Sequence, residues 1–468
     1  MSKPLTLGSI FDGIGAFPLA GIQAGIIPVW ASEIEPFPIR VTAKRLPGMK
    51  HYGDIRNLRG HDLESADIIS FGSPCTDVSI SGKQAGIHGA QSSLFFEAVR
   101  VIKEMRESTN GKYPRWLVFE NVPNAMSCGA GNDFREILES LVRIKEPEAT
   151  IPMPDGGKWL PAGEIRGRAA LGSDYSLAWR VLDAAKGWGV AQRRKRIFLI
   201  CDLGGQRAGS VLFESEGLSK YTPPDSPTRQ GDPGTAAPRA GTAGCGSGGA
   251  VAFEPGLLRR KGGHVYREIS GTLRSDPGDN LMSVAMPRAP VAFRIGADWS
   301  YAMLSDNPRA GVSEAEVCRT LDRHCGDPVC HQGGMAVVTS VCHAQTFPND
   351  KFDVVSTPDD IEYIVRKLTP GESCLLMGFP PGWTEGLGTE SPTDDEIHEW
   401  TGIFEEWYRA QGKQVRPLGI GRIRKWLRDP RSNTAEYKAY GNSVVVPCVF
   451  FVLAGIVWAM EMEGSDIY

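Results

Sequence analysis

A thiol, a carboxylic acid and two arginines stand in sequence contexts that can do chemistry. Cys75 lies in Gly72-Ser73-Pro74-Cys75-Thr76-Asp77-Val78-Ser79, a Pro-led turn directly after the apolar run Asp67–Phe71. A thiolate held in a rigid turn is a nucleophile once its pKa falls below the free value of about 8.5. A lone cysteine is equally a small buried hydrophobe, so its neighbours decide. Glu120 follows a second apolar run, in Phe119-Glu120-Asn121-Val122-Pro123. If both runs are strands of a parallel sheet, thiol and acid emerge on one edge. Arg194 and Arg196, in Gln192-Arg193-Arg194-Lys195-Arg196, precede another strand-like run. Strand alternation aims them to one face, where they suit either an anionic substrate edge or open solvent.

A ligand loop stands upstream. Phe11-Asp12-Gly13-Ile14-Gly15 follows one apolar run and opens a helical pattern, and glycines there let a backbone approach a ligand closely. Glu33 comes 20 residues after Gly13, where an acid can hold a ribose hydroxyl. Gly53-Asp54-Ile55 supplies a further loop on the same side. The pattern G-x-x-x-x-G-K-[ST] does not occur, which argues against a P-loop nucleotidase.

These groups need a scaffold, and the spacing predicts one. Strands are expected at Leu5–Phe11, Ile26–Ala31, Asp67–Phe71, Trp116–Phe119 and Arg196–Cys201. Helices are expected from Phe17, over Ser92–Glu107 and over Asn132–Val142. Strands separated by helices imply a mainly parallel α/β sheet covered on both faces. Ligands of such sheets bind at the carboxyl ends of the strands. Glu146–Gly172, rich in Pro and Gly, reads as an inserted surface loop, and Thr222–Gly249 as a flexible linker.

The chain has 468 residues, beyond the roughly 250–300 at which single cores stop growing, so two lobes are expected. The net charge of −4 gives no global sign of a nucleic-acid partner, although a basic face can exist locally. The ten cysteines and the lack of an apolar leader over Met1–Gly8 suit a reduced, cytoplasmic protein. One apolar run, Val444–Met460, is 17 residues long; Pro447 and Gly455 within it favour a buried helix over a membrane span.

Taken in order, the motifs resemble the cytosine carbon-5 DNA methyltransferases of bacteria and phages. The resembling blocks are FDGIG (11–15), Glu33, GDI (53–55), SPCTDVSISGKQAG (73–86), SSLF (92–95), FENV (119–122), QRRKR (192–196), RKLTPGESCLLMGFP (366–380) and YGNSVVVP (440–447). They span both ends of the chain. The resemblance implies a Rossmann-like S-adenosylmethionine-dependent methyltransferase fold with a second, smaller target-recognition domain. It implies a catalytic domain over 1–203, completed by 433–468, and recognition over 204–432, with the flexible segment near 222–249 inside it. Phe11, Gly13, Gly15, Glu33, Asp54, Ile55, Leu94, Asn442 and Ser443 would surround S-adenosylmethionine. Cys75 would be the nucleophile, Glu120 would contact the cytosine ring, and Arg194 and Arg196 would assist at base and phosphate. Three positions depart from the family's habit: Thr76 after the nucleophile, Ala191 before Gln192, and Ile34 where an aromatic often packs on the adenine.

The implied chemistry explains the residue types. Carbon 5 of cytosine is a poor nucleophile until a thiolate adds to carbon 6. A protonated Glu120 at ring nitrogen 3 offsets the charge this creates. The target base is stacked in the duplex and has to be extruded, and the glycine-rich stretch Ser79–Gly89 is suited to close over it. Double-stranded DNA is the implied partner, with no metal, no membrane and a monomer expected. A cognate restriction endonuclease stays open. A tRNA cytosine methyltransferase shares the catalytic blocks but lacks so long a stretch as the about 170 residues between QRRKR and RKLTP. A silent DNA-binding homologue would not need Cys75, Glu120 and both arginines. A nicotinamide oxidoreductase would explain the glycine loop and Glu33 alone.

In the second lobe, Arg259, Arg260, Lys261, Arg267, Lys413, Arg416, Arg422, Arg424, Lys425, Arg428 and Arg431 are candidate phosphate contacts or solvated cations. Glu268–Arg274 and Glu316–Asp322 form a weak repeat, each followed by a short apolar run, consistent with paired β units. Cys318, His324, Cys325, Cys330, His331, Cys342 and His343 are zinc-capable types, but they form no C-x-x-C pair.

Overall fold

The computed structural model describes residues 3–72, 94–168, 174–213 (except 187, 189 and 191), 362–412 and 418–465, together with short strands between 251 and 356. Its centre is an eight-stranded sheet in the order β3-β2-β1-β4-β5-β9-β7-β6. The strands are β1 (Thr6–Ile10), β2 (Ile27–Ser32), β3 (Lys50–His51), β4 (Ile68–Phe71), β5 (Trp116–Asn121), β6 (Ala162–Arg168), β7 (Asp174–Asp183), β8 (Gln192–Arg193, outside this sheet) and β9 (Lys195–Asp202). The helices of this lobe are α1 (Ala16–Gln23), α2 (Pro36–Arg45), α3 (Leu94–Ser108), α4 (Asn132–Val142) and α5 (Ala208–Phe213).

β3 through β5 pair in parallel. From β1 the chain first winds outward to β2 and β3, then returns to β4 on the other side. The β1/β4 seam is therefore the topological switch point, where ligands of such sheets bind. The mainly parallel expectation holds only for this half. β9 runs antiparallel to β5, β7 to β9, and β6 to β7.

Alternation along the strands builds two cores. On β5, Trp116 and Val118 point to the face covered by α1, α5 and the C-terminal helix, while Leu117 and Phe119 point to the face covered by α3 and α4. Phe198 and Ile200 divide from Ile197 and Leu199 in the same way on β9. A period of two thus feeds both layers of a sheet buried on both sides.

The expected surface loop Glu146–Gly172 is corrected by the structure: β6 lies within it and extends the sheet edge. Its glycines are not loop signals. Gly163 is the register partner of Trp179 and Gly167 of Tyr175, and a Cβ at either glycine would come within 2.2 Å of the facing ring. The side-chain-free positions let the rings lie across the edge strand.

The C-terminal run is helix α10 (Val446–Ser465). Long and apolar enough to span a membrane, it is mostly buried in the protein. Val449, Val452, Leu453, Ile456 and Ala459 are fully buried against the sheet's first core, and each large side chain among them contributes about 1.5–3 kcal/mol. Gly455 lets the helix approach Val211 of α5. The preceding helices are α6 (Pro370–Leu376), α7 (Asp394–Ala410), α8 (Ile420–Arg428) and α9 (Asn433–Asn442). α7 and α8 bury Trp400, Phe404, Ile423 and Leu427 against Ile39 of α2.

A second, antiparallel sheet holds β10 (Val251–Phe253), β11 (Val265–Arg267), β13 (Ser283–Ala285), β14 (Val337–Thr339), β15 (Asp353–Ser356) and β16 (Glu362–Lys367). The apolar runs after the two repeat copies supply β13 and β14, and both pair with β16. β12 (Ser270–Gly271) pairs in parallel with β8, joining this region to the QRRKR segment. The Thr222–Gly249 linker and, apart from β14 within it, the Cys/His-rich stretch 318–343 lie outside the described residues.

Candidate active site

The carboxyl ends of β1, β2 and β3 converge. Asp12 N donates to Ser32 O (3.2 Å), Gly13 N to Glu33 Oε2 (2.8 Å) and Ser32 Oγ to Gly53 O (2.7 Å). The three predicted loops are thereby one unit. The first is strained: Phe11 has φ 57, beside Gly13 at φ 58 and Gly15 at φ 85. A non-glycine residue in the left-handed region costs about 1–3 kcal/mol and tends to mark functional loops.

Glu33 is held by backbone on both oxygens, since Oε1 accepts from Ile34 N (2.7 Å) and Glu35 N (2.9 Å). Burial first, then the neighbouring Glu35, pushes its carboxyl up, and the backbone donors only partly offset this. Oε2 accepts one bond and has a lone pair left for a hydroxyl. Asp12 is buried, receives Ser9 Oγ at 2.6 Å on Oδ1, and has no partner for Oδ2 among the described residues. Burial pushes its carboxyl up to about 8, against the Ser9 bond and with the help of Glu33's charge. Asp54 is also buried, but Arg56 outweighs burial and draws its carboxyl below the usual range.

Leu94 opens α3, and Arg100 of that helix donates to Ile55 O (3.1 Å) and Leu58 O (2.9 Å), fixing the helix beside the third loop. Asn442 is exposed and Ser443 buried at the end of α9. Lys438 of α9 pairs with Glu35 at 2.5 Å.

The second cluster lies one strand beyond the seam. Glu120, 5% exposed, faces Arg196, whose Nε lies 2.9 Å from Oε1. Burial pushes its carboxyl up, and the charges of Arg196 and Arg194 oppose this without cancelling it. A Cβ on Gly72 would sit 3.1 Å from Glu120 Oε2, so the chain leaving β4 passes against this acid. Arg194 is buried, and Nη2 donates to Ser443 O (2.6 Å) and Gly441 O (3.2 Å). It ties the QRRKR segment to the C-terminal turn. Cys75 and the Ser79–Gly89 stretch lie outside the described residues.

The structure adds supports that no local pattern foretold. Asp12 sits inside a motif already singled out, and its isolation shows only in three dimensions. Trp383 Nε1 donates to Ile14 O (2.8 Å) across 369 positions of sequence. An isolated tryptophan offers no signal for such a contact.

A glycine loop under a strained phenylalanine, an acid after β2, a loop after β3, and a reversed strand beside β5 define a Rossmann-like α/β methyltransferase. The description "C-5 cytosine-specific DNA methylase" matches residues 5–144. A DNA N-6-adenine-methyltransferase of Escherichia phage P1 is 27% identical over 99% of this chain and 63% of its own length. The type II methyltransferase M2.BsuMI of Bacillus subtilis is 30% identical over 42% of this chain and 41% of its own length. The type II methyltransferase M.HhaI of Haemophilus parahaemolyticus is 28% identical over 41% and 47%. The chain thus spans less than two thirds of the length of each. Residues 5–144 thus match the C-5 cytosine-specific DNA methylases, with type II methyltransferases among the similar proteins, and S-adenosylmethionine is the cofactor this likeness implies.

The site fits that cofactor. A Cβ on Gly13 would meet nothing within 4 Å, so the loop faces open space at the switch point. The α1 N-terminus has no side-chain cap, and among the described residues the buried Asp12 Oδ2 has no hydrogen-bond partner. Glu33 keeps its spare acceptor position.

Proposed function

We propose that the protein methylates carbon 5 of cytosine in double-stranded DNA. The observation that carries this reading is Glu120: a buried carboxyl with a raised pKa, at the end of β5, against Gly72. Ser73-Pro74-Cys75 follows Gly72 directly in the sequence. The Cys75 thiolate adds to carbon 6 of an extruded cytosine. Glu120 gives its proton to ring nitrogen 3, neutralising the charge that addition creates. Arg196 holds Glu120 and reaches the base's polar edge. Carbon 5, now enamine-like, is alkylated; its proton leaves to a base, and the thiolate is expelled to restore the ring.

Phe11, Gly13, Gly15, Glu33, Asp54, Ile55, Leu94, Asn442 and Ser443 would hold S-adenosylmethionine, which supplies an electrophilic sulfonium methyl when bound. Residues 204–432 serve target recognition, with α7 and α8 docked on α2. The exposed cations Arg422, Lys425 and Arg428 of α8 are suited to phosphate, which sets register and not sequence. The enzyme acts as a cytoplasmic monomer, alone or beside a restriction endonuclease.

The name of the phage P1 relative favours a second reading, methylation of adenine at N6. An exocyclic amine can attack a methyl donor without covalent activation, so that reaction does not require Cys75. Tritiated S-adenosylmethionine, mixed-sequence duplex DNA, bulk tRNA in a parallel reaction and a Cys75→Ala variant separate the two. Label on cytosine carbon 5 that vanishes in the variant supports the proposal. Label on adenine that survives in the variant establishes the second reading, and label on tRNA alone moves the substrate to RNA.

A further inference from the structure

Each loop of the cofactor edge is held from the far end of the chain. Trp383 holds Ile14 and Lys438 holds Glu35, but the third hold shapes the loop it touches. Glu406 of α7 accepts from Asp54 N and from Asn57 Nδ2, both at 3.1 Å, on the one oxygen Oε1. Its other oxygen covers Gly53: a Cβ there would lie 2.4 Å from Oε2. Gly53 has φ 68, so the backbone turn into Asp54 is built against this carboxylate.

The helix carrying Glu406 is itself clamped. Arg40 of α2, 4% exposed, donates to Leu387 O (2.9 Å) and Glu396 Oε1 (2.9 Å). Its guanidinium stacks 5.4 Å over Trp400. Phe404, Trp400 and Ile397 pack on Ile39. α2 begins at Pro36, three residues after Glu33. Glu406 is therefore delivered to the third loop by a rigid bridge from the second.

We propose that Glu406 is a positioning residue for S-adenosylmethionine: it fixes the Gly53–Asp54 backbone, so the α7–α8 hairpin tunes cofactor affinity. This rests on the reading of Gly53–Ile55 as a cofactor loop. Both of its hydrogen-bond donors are neutral; its charge reaches Arg56, which is held to Asp54 by its own ion pair, so acceptor geometry carries the hold on the loop backbone. Gln in its place keeps a carbonyl oxygen at the same reach, whereas Asp keeps the charge but withdraws it by one methylene.

The test is calorimetric titration of the full chain with S-adenosylhomocysteine, without DNA, alongside thermal unfolding of the unliganded proteins. Glu406→Gln should bind within about twofold of wild type, and Glu406→Asp and Glu406→Ala about five- to tenfold more weakly. Glu406→Gln, close in shape to the native residue, keeps the test open if Glu406→Ala folds poorly. Equal affinity in all four proteins overturns the inference, as does Glu406→Asp binding better than Glu406→Gln. A wild-type chain that fails to bind at all overturns the cofactor-loop reading, and this inference with it.

Discussion

Glu33 and Glu120 are both carboxyls at strand ends, both pushed up by burial, and they are held in opposite ways. Glu33 receives three backbone N–H groups, which fix its position and leave one acceptor direction open. Among the described residues, Glu120 is met at 2.9 Å by the Arg196 guanidinium, with the charge of Arg194 acting on it as well, and its Oε1 has no aligned hydrogen bond. The first arrangement suits a geometric anchor; the second suits a group that gains and loses a proton. On the proposed reading, the difference divides the sheet edge into a cofactor side, stiffened by backbone and distant clamps, and a base side, where protonation is the variable.

Four substitutions sharpen or break that division. Cys75→Ala should abolish transfer to DNA and leave S-adenosylhomocysteine affinity unchanged. Loss of affinity in that variant would mean the two sides are not separable. Glu120→Gln should lower kcat by about 10²–10⁴-fold, the usual worth of a positioned acid, again without touching cofactor affinity. In wild type, kcat should fall on the alkaline side as Glu120 loses its proton. Because the carboxyl is raised, that fall lies above the ordinary carboxylate range. A profile that is flat there, or that persists unchanged in Glu120→Gln, would remove the acid from the mechanism.

Arg194→Met should breach the division from both directions. It leaves two buried carbonyls, at residues 441 and 443, without their donor, at a cost of about 1–3 kcal/mol each in the unfavourable case. Denaturant unfolding should show the loss, and cofactor affinity and kcat should fall together because the turn carries Asn442 and Ser443.

Asp12→Asn should have the smallest effect, confined to the cofactor side. The folded carboxyl titrates at about 8 against an ordinary 3.8, so the folded state binds the proton more tightly than the unfolded chain. The stability this contributes is complete at acid pH and is lost as pH rises toward and through about 8. Unliganded wild type should therefore lose more Tm between pH 5 and pH 9 than Asp12→Asn does. Parallel pH curves for the two would show that the carboxyl is not isolated.

The sequence laid out the parallel half of the sheet and the candidate residues along its edge, because those signals are local. Apolar runs ending in Gly-x-Gly, in Pro-Cys and in Glu-Asn mark strand ends at β1, β4 and β5 whatever surrounds them. The antiparallel half was less legible. β6 reads as loop because its glycines are explained only by Trp179 and Tyr175 across the pairing. α2 and β7 carry no chemistry-bearing motif, so nothing in their own residues marks them.

The sequence by itself determined which groups are candidates for the chemistry and in what order their segments come along the chain, since residue type and strand alternation are properties of short segments. Tertiary structure decided how those groups are tuned. Asp12 is isolated by burial, Arg194 is turned to the 441–443 carbonyls, and Glu406 reaches Asp54 across 352 positions. Such effects depend on desolvation and on contacts between distant segments, and neither is written in any local stretch of the chain.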